Sequence, residues 1–286
     1  MQAFEYLSPK SLKAAFQAIR GRGLNYRVVA GGTNFVPNLR DGTVRPKRVV
    51  DLGGLKRLSY IKEKNGLIKV GATTTIADLL KSPLIERQAP VLWAACSQFA
   101  GPVVRNRATV GGNLADASPA ADTAVPLLAL KARVRLRSLD GQRTLALDKF
   151  FTGYRKTAIQ SGEILTEVAF PIPYRGTKYG YHKLGRRNAM AISVASVAVV
   201  LEMRGQTCKD AAIALGAVAP VPLRIAKAEA LLKGKNVDVE LAQKCGEVVA
   251  GCVKPIDDIR ATAEYRRTVS QVLVCRGICE ALELDS

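Results

Sequence analysis

The sequence is poor in the residues that carry most enzyme chemistry. It contains one histidine, His182, so neither a histidine-based catalytic dyad nor a histidine-rich metal site is expected. Its six cysteines are scattered, with no C-x-x-C pair and no spacing typical of zinc or iron–sulfur ligands. We interpret them as reduced, mostly buried thiols of a cytoplasmic protein.

Long apolar runs and several common motifs are also missing. No apolar segment reaches the roughly 18 residues needed to cross a bilayer, and the N-terminus lacks the pattern of a signal peptide. The glycine signatures of a Rossmann site and of a P-loop are absent, as is the G-x-S-x-G of many hydrolases. Aromatic residues make up only 6% of the chain and do not interleave with basic groups, which disfavours binding of single-stranded nucleic acid.

Acidic residues are scarce relative to basic ones. The chain has 43 Lys and Arg against 24 Asp and Glu, a net charge of +19, which suggests an acidic partner, nucleic acid or a membrane surface. In residues 131–137 basic and apolar positions alternate, which predicts a strand with one basic face. Its basic positions are Lys131, Arg133, Arg135 and Arg137. This strip is either a solvated face or a docking surface, and the pairs Arg186–Arg187 and Arg266–Arg267 are further candidates.

The 286 residues have a globular composition and divide into two parts. The pattern predicts a helix over 8–20 with Ser8 as N-cap, a buried helix over 86–99, and a hairpin that turns at Asp140–Gly141. A boundary is expected near 173–178. Beyond it we predict three strands and then three helices, at 224–233, 238–252 and 264–282.

Two glycine-rich loops are the strongest functional signal. AGGTN (30–34) follows an apolar strand, and TVGGN (109–113) is expected to precede a helix. Such loops let backbone N–H groups approach phosphate oxygens, while Thr and Asn side chains add neutral hydrogen bonds. Each loop alone is also compatible with a plain turn. Asp122 either accepts from a cofactor hydroxyl or is an acid at a helix N-terminus.

Candidate acids and bases are few, which indicates a bound cofactor that carries the chemistry. AGGTN, GPVVRNRATVGGNLADASPAADTAVPLLAL, FFTGYRKT with EIL, and KLGRR together resemble the FAD-binding subunit of molybdenum hydroxylases, of the xanthine dehydrogenase and carbon monoxide dehydrogenase type. The resemblance covers nearly the whole chain. It implies an α+β, vanillyl-alcohol-oxidase-like (PCMH-type) FAD-binding domain over 1–174, with subdomains of about 1–55 and 56–174. Over 175–286 it implies a C-terminal domain, with a three-stranded antiparallel sheet and a helical bundle.

The resemblance also implies which residues contact FAD. The diphosphate would lie against Ala30, Gly31, Gly32, Thr33 and Asn34. The diphosphate and ribityl region would be reached by Thr109, Gly112, Asn113 and Ser118. Asp122 would bind a hydroxyl of the cofactor, Phe99 and Leu165 would lie near the ring systems, and Lys183 would lie close to the isoalloxazine.

The resemblance further implies that electrons pass from a partner's iron–sulfur clusters through FAD to NAD or another acceptor. The partners would be separate subunits, one with two 2Fe–2S clusters and one with molybdopterin. The motif carries no inserted cysteine loop, so no cluster and no other metal is expected in this chain. Two alternatives stay open: a free-standing flavin oxidase of the same fold, and a basic nucleic-acid-binding protein.

Overall fold

The N-terminal part of the chain forms a small parallel sheet. The structure, a computed structural model, describes residues 3–21 and 25–285. The first elements are β1 (Glu5–Leu7), α1 (Leu12–Ala18), β2 (Tyr26–Val29), α2 (Phe35–Arg40) and β3 (Arg48–Asp51). The strands lie in the order β1-β3-β2 and are all parallel. Parallel strands require crossover connections, and α1 lies between β1 and β2 in the chain. Ala15 and Phe16 of α1, with Ile19 just after it, pack into a core that contains Val50 and Leu52.

Helix α1 begins later than predicted, at Leu12. Ser11 has extended backbone, and its hydroxyl accepts a hydrogen bond from the Ala14 N–H at 3.1 Å. The prediction of Ser8 as N-cap was wrong, because Ser11 is the hydroxyl residue placed to satisfy an amide of the first turn.

The middle of the chain forms a five-stranded antiparallel sheet covered by short helices. Its strands are β4 (Ile61–Lys64), β5 (Leu67–Gly71), β6 (Arg133–Arg137), β7 (Gln142–Ala146) and β10 (Ile164–Pro171), in the order β4-β5-β10-β6-β7. Its helices are α3 (Ile76–Lys81), α4 (Pro83–Gln88), α5 (Pro90–Ser97), α6 (Pro102–Arg105), α7 (Val110–Asp116) and α8 (Ala124–Ala129). A two-stranded sheet, β8 (Phe151–Gly153) and β9 (Lys156–Thr157), lies before β10, and 3-10 turns occupy Lys56–Leu58 and Leu147–Lys149.

The predicted hairpin is present as β6 and β7. The two strands pair antiparallel, and Gly141 in the turn has φ +153°. Val134 and Leu136 are buried, while Arg133 and Arg137 are exposed, as the alternating pattern predicts.

The single helix predicted over 86–99 is two helices, α4 and α5. They meet at Ala89 and Pro90. Proline has no N–H and disfavours helical geometry in the residue before it, so one helix ends at Gln88 and the next begins with Pro90.

The C-terminal part is an antiparallel sheet with three helices. The strands are β11 (Thr177–Leu184), β12 (Ala195–Arg204), β13 (Thr207–Gly216) and β14 (Leu223–Arg224), and the helices are α9 (Ala226–Leu232), α10 (Val239–Cys252) and α11 (Ala263–Leu282). The predicted helices are confirmed, but the predicted three-stranded sheet is wrong. The chain turns back after β13, so that Leu223 and Arg224 pair with Leu215 and Ala214 as a fourth strand.

Both faces of this sheet are covered. Val197, Val199 and Leu201 of β12 join the core beneath α9, α10 and α11, while Ala198 and Val200 join the core of the middle sheet. This double burial explains why β12 is a nearly continuous apolar run rather than an alternating one. Within residues 3–21 and 25–285, none of the helices is both long and apolar enough to cross a bilayer.

Candidate functional site

The two glycine-rich loops lie against each other. A Cβ at Gly31 would overlap the carbonyl oxygen of Arg107, and it would come within 3.1 Å of the Ala108 Cα. Only glycine fits this backbone-to-backbone contact, which joins AGGTN to Arg107 and Ala108, the two residues before TVGGN. The sequence predicted each loop separately; the structure brings them to one place.

The rest of AGGTN faces outward. Gly32 has φ +71°, and the nearest atoms to a Cβ built there are side-chain methyls at 3.5 Å or more. Thr33 and Asn34 are exposed, whereas Ala30 is partly buried. The second glycine therefore supplies a left-handed backbone conformation at an open surface, and the first supplies packing.

The sequence predicted that TVGGN precedes a helix, but in the structure TVGGN forms the start of helix α7. Thr109 is the N-cap of α7, and its hydroxyl accepts from the Gly112 N–H at 3.1 Å. Gly111 is buried: its N–H donates to Ala72 O at 2.9 Å, and a Cβ there would lie 2.6 Å from that of Ala72. Gly112 is exposed, but a Cβ there would lie 2.8 Å from the Thr109 hydroxyl oxygen. Here too the first glycine packs against another segment of the protein, while the second lies at the surface beside the N-cap of its own helix.

Two amide side chains hold α7 in place. Asn34 Nδ2 donates to both carboxylate oxygens of Asp116 at 2.8 Å, and Arg155 also reaches Asp116, at 3.3 Å. Asn113 Oδ1 accepts from both the N–H and the hydroxyl of Thr123, at 3.2 and 2.6 Å. Asn34 thus links the two loops, while Asn113 links α7 to the start of α8.

Ser118 lies in the turn between α7 and α8. Helix α7 ends at Ala117, which has φ +49°, and the Ser118 hydroxyl accepts from the Ala120 N–H at 3.2 Å. This contact uses a lone pair of the oxygen and leaves the O–H proton as a donor.

Asp122 and Lys183 form a buried ion pair. Lys183 Nζ lies 2.9 Å from Asp122 Oδ1 and donates to the Gln98 carbonyl at 3.0 Å, and its side chain is only 4% exposed. The Ser193 hydroxyl donates to the same carboxylate oxygen at 3.2 Å. Burial raises the pKa of Asp122, and the Lys183 ammonium opposes that rise. The Asp122 carboxylate is thus turned towards Lys183 and Ser193, and its contact with a cofactor hydroxyl stays a prediction.

The buried hydroxyl of Tyr181 lies on the same face of β11 as Lys183. Tyr181, two positions before Lys183, has no hydrogen-bond partner for its OH in the part of the chain that the structure describes. Burial and the nearby Asp122 carboxylate raise the pKa of this phenol well above its ordinary value. An unpartnered buried polar atom is costly, so it marks a place where a polar group of a ligand or a water fits. His182 points to the opposite face, with Nε2 3.1 Å from Glu280.

The two predicted apolar contacts differ in position. Phe99 directly follows Gln98, and the Arg105 guanidinium fixes this end of α5 by donating to the carbonyls of Ser97, Phe99 and Ala100 at 3.0–3.1 Å. Leu165 lies in β10 opposite Leu136 and is buried in the core. The structure thus brings Asp122 and Lys183 together beside Gln98, the residue before Phe99, while Leu165 lies in the five-stranded sheet.

Several residues of the site were not predicted. They are Tyr181, Ser193, Arg105, Asp116 and Thr123. Arg105, Asp116 and Thr123 lie within the quoted motif, but the motif did not indicate their roles. Tyr181 and Ser193 lie in segments that the sequence predicted only as strands.

The basic strip predicted on β6 is partly neutralised within the chain. Lys131 pairs with Asp210 and Glu202, and Arg135 lies 3.1 Å from the buried Glu167. The Arg266–Arg267 pair is also not a surface pair, because Arg266 is buried and holds Asp258 at 2.5 Å.

Two family models match the chain end to end. Residues 2–173 match the FAD binding domain in molybdopterin dehydrogenase, and residues 179–281 match the CO dehydrogenase flavoprotein C-terminal domain. The chain belongs to this flavoprotein family. The resemblance stated from the motifs is confirmed, and the cofactor of this flavoprotein is FAD.

Similar proteins match over almost their full lengths. The chain is 33% identical to the nicotine 6-hydroxylase medium subunit of Paenarthrobacter nicotinovorans, covering 98% of each chain. It is 31% identical to the carbon monoxide dehydrogenase medium chain of Hydrogenophaga pseudoflava, covering 96% of each. The solved carbon monoxide dehydrogenase from that organism, which lacks the Mo-pyranopterin moiety, superposes with a TM-score of 0.95 at 32% identity over 99% of this flavoprotein and 98% of that chain.

A second solved structure is also similar. Quinoline 2-oxidoreductase from Pseudomonas putida 86 superposes with a TM-score of 0.92 at 29% identity, covering 99% of this flavoprotein and 98% of that chain. The flavoprotein is therefore an oxidoreductase subunit of the FAD-binding medium-chain type.

The residues present fit FAD. Gly32 has room for a Cβ, Gly112 is exposed on the adjoining segment, and the exposed Thr33 follows Gly32 with a neutral hydroxyl. Neutral donors suit a diphosphate that is held but not cleaved. The buried Lys183 ammonium and the Tyr181 hydroxyl, which has no hydrogen-bond partner among the described residues, supply polar groups in β11.

Proposed function

We propose that this flavoprotein transfers electrons within a multi-subunit molybdenum hydroxylase. Electrons would arrive from the iron–sulfur clusters of a partner subunit and leave to NAD or another acceptor. FAD, when bound, supplies the two-electron chemistry. The observation that carries the proposal is the convergence of both glycine loops, joined at Gly31 and Arg107, on one surface of a chain with FAD-subunit relatives.

Each set of residues has a part in this proposal. The diphosphate would lie along Ala30–Asn34 and the first turn of α7, with Gly32, Thr33 and Gly112 nearest to it. Asn113 and Ser118 would border the ribityl chain. Phe99, Asp122 and Lys183 would border the ring, and Leu165 would support it from β10. Because Asp122 holds Lys183, the pair would act on the flavin as one unit.

The names of the similar proteins support a proposal for the partner subunits. Those proteins carry the names medium chain and medium subunit, which implies assembly with other subunits. For this flavoprotein we propose one partner with two 2Fe–2S clusters and one with molybdopterin. The six cysteines are all free thiols, in keeping with the proposed cytoplasmic location.

We also propose the domain division that the sequence predicts. The FAD-binding domain would span 1–174, with PCMH-type subdomains of about 1–55 and 56–174, and the C-terminal domain would span 175–286. The parallel sheet, the five-stranded sheet and the C-terminal sheet fall within these ranges, which supports the division.

A free-standing flavin oxidase is the second candidate. It needs a base beside the flavin ring to accept a proton from substrate. The carboxylate at the site, Asp122, is occupied by Lys183 and Ser193, and His182 faces α11 instead. This arrangement favours electron transfer over substrate oxidation.

Anaerobic mixing with a reduced partner distinguishes the electron-transfer subunit from the free-standing flavin oxidase. The iron–sulfur subunit would be reduced with dithionite, freed of excess reductant and mixed with the FAD-loaded flavoprotein. We expect loss of flavin absorbance, followed by NADH fluorescence if NAD is the acceptor. A flavin that stays oxidised, yet is bleached by a small organic substrate alone, would contradict the proposal and favour the oxidase.

A further inference from the structure

A buried arginine of α11, Arg266, binds backbone that leads to the Asp122–Lys183 pair. Its side chain is 4% exposed and lies 2.5 Å from Asp258. Its Nη1 donates to the carbonyl of Val194 at 3.0 Å and to the carbonyl of Ala217 at 2.8 Å. Val194 comes directly before β12 and Ala217 directly after β13, so one guanidinium holds two segments at the same end of two paired strands.

Val194 connects this arginine to the flavin site. The Val194 N–H donates to the Leu184 carbonyl at 2.7 Å, and Leu184 directly follows Lys183. The residue before Val194 is Ser193, whose hydroxyl donates to Asp122 at 3.2 Å. Val194 therefore fixes the backbone next to both Lys183 and Ser193, the two residues whose side chains bind the Asp122 carboxylate.

Ala217 anchors the same guanidinium from the other side. It has φ +63°, a left-handed conformation that is uncommon for a residue with a Cβ. Its N–H donates to the Pro119 carbonyl at 2.8 Å, and the carbonyl of the next residue, Val218, accepts from the Lys254 N–H at 3.0 Å. Because these bonds hold the Ala217 backbone in place, the guanidinium bound to it gives Val194 a fixed position.

Stability alone is a poor explanation for a buried arginine here. Taking a charge out of water costs free energy, and an apolar side chain of similar volume often stabilises a core equally well. The Arg266 Nε has no hydrogen-bond partner in the part of the chain that the structure describes, so the desolvation cost is not fully offset. What arginine supplies, and an apolar side chain does not, is a planar fork of donors that holds several oxygens in one geometry.

We propose that Arg266 is a positioning residue of the flavin site, which acts through Val194 to hold Ser193 and Lys183 on Asp122. The inference rests on the proposed function, in which Asp122 and Lys183 border the flavin ring. Asp258 supplies the counter-charge that keeps the guanidinium in place. A residue of the C-terminal helices would in this way set the position of a charge next to the cofactor, without contacting the cofactor.

Titration of the flavin-free full chain with FAD tests the inference. Arg266→Lys keeps the charge beside Asp258 but replaces the fork by a single nitrogen, so we expect about tenfold weaker FAD binding. Ser193→Ala removes the transmitted hydrogen bond and should weaken binding by up to roughly tenfold. The double variant should bind about as well as the weaker single variant, because both changes release the same contact. Arg260→Lys makes the same change in the other arginine that pairs with Asp258, and it should bind within about twofold of the wild type.

The reduction potential of the bound flavin separates positioning from stability. A fixed ammonium near the ring favours the added negative charge of the reduced flavin, so a displaced Lys183 should lower the potential. We expect a lower potential in Arg266→Lys and in Ser193→Ala, and an unchanged one in Arg260→Lys, measured with excess FAD well below each unfolding temperature. A site that is only less stable, with its charges correctly placed, would keep the wild-type potential. Arg266→Gln, which also lacks the fork, should shift the potential in the same direction and replaces Arg266→Lys if that variant does not fold.

The outcomes are distinguishable. If the wild-type chain does not bind FAD, the proposed function itself fails. If the wild type binds FAD and the Arg266 variants keep its affinity and its potential, only the positioning inference is overturned. A double variant whose loss of affinity equals the product of the two single losses would also overturn it, because Arg266 would then act independently of Ser193.

Discussion

At the scale of single residues, the two glycines of each Gly-Gly pair have different roles. Gly31 and Gly111 pack against backbone of other segments, where no Cβ fits. Gly32 has room for a Cβ, and Gly112 is exposed, although a Cβ there would lie 2.8 Å from the Thr109 hydroxyl oxygen of its own helix. The motif predicted that glycine was needed, but not which glycine served the fold. That distinction depends on Arg107 and Ala72, which come from other parts of the chain.

Gly32→Val should abolish flavin retention while leaving a folded protein. The branched side chain would stand at the open surface of AGGTN, where the diphosphate is proposed to lie, and φ +71° adds strain of about 1–2 kcal/mol. Gly66→Val is the matched control, because Gly66 has the same φ in the remote β4–β5 turn with open space around it. The flavin content of each variant after purification measures the effect on retention. Equal flavin content in the two variants would remove Gly32 from the diphosphate site.

Asp122→Asn should destabilise the apoprotein by roughly 3–5 kcal/mol, because it leaves the Lys183 ammonium buried without its counter-charge. Lys183→Met in the same chain should restore much of the loss. Urea unfolding of the two single variants and the double variant, all without flavin, measures the coupling. Additive losses would show that the two groups do not interact as the geometry indicates.

At the scale of secondary-structure elements, α7 organises the site. Its N-cap Thr109 accepts from Gly112 within the helix, its middle residue Asn113 binds Thr123, and its last residue Asp116 binds Asn34. The sequence predicted the residues but placed the helix after TVGGN. Two adjacent glycines disfavour a helix by propensity, and here contacts override that preference: the Val110 N–H donates to Thr74 O and the Gly111 N–H to Ala72 O.

Two substitutions at Asn113 separate its structural role from its binding role. Asn113→Ala removes the acceptor for Thr123 and should cost about 1–3 kcal/mol of stability, because the buried Thr123 is left unpaired. It should also weaken FAD binding by up to roughly tenfold. Asn113→Asp keeps the acceptor but puts a negative charge beside the proposed ribityl chain, near the anionic diphosphate, so stability should hold while FAD binding falls further. Flavin fluorescence titration and thermal unfolding measure both. Unchanged FAD affinity in both variants would give Asn113 a structural role only.

The Arg143–Glu163 pair should contribute to stability in a pH-dependent way. Arg143 donates from Nε and Nη2 to Glu163 at 2.6 and 2.8 Å and lowers the pKa of that carboxyl below its ordinary 4.5. The stabilisation is therefore present above about pH 4.5 and is lost as the pH falls through the lowered value. Glu163→Gln should unfold more easily at pH 7 and lose less of its free energy of unfolding on acidification. Parallel pH profiles for the variant and the wild type would contradict this.

At the scale of the whole molecule, local patterns predicted well and long-range pairing did not. The helices at 226–232, 239–252 and 263–282 and the Asp140–Gly141 hairpin follow from periodicity and turn chemistry. The fourth strand of the C-terminal sheet, Leu223–Arg224, is too short to leave a pattern. The ion pairs that neutralise Lys131 and Arg135 join residues far apart in sequence. The strip that the sequence predicts as basic is therefore only partly basic in the structure.

Cofactor analysis of the isolated chain tests the central claim most directly. If this chain is the FAD-binding electron-transfer subunit, the purified protein should be yellow, with absorbance near roughly 450 nm, should release about one FAD per chain and should contain no stoichiometric iron. FMN in place of FAD, or stoichiometric iron, would contradict the account.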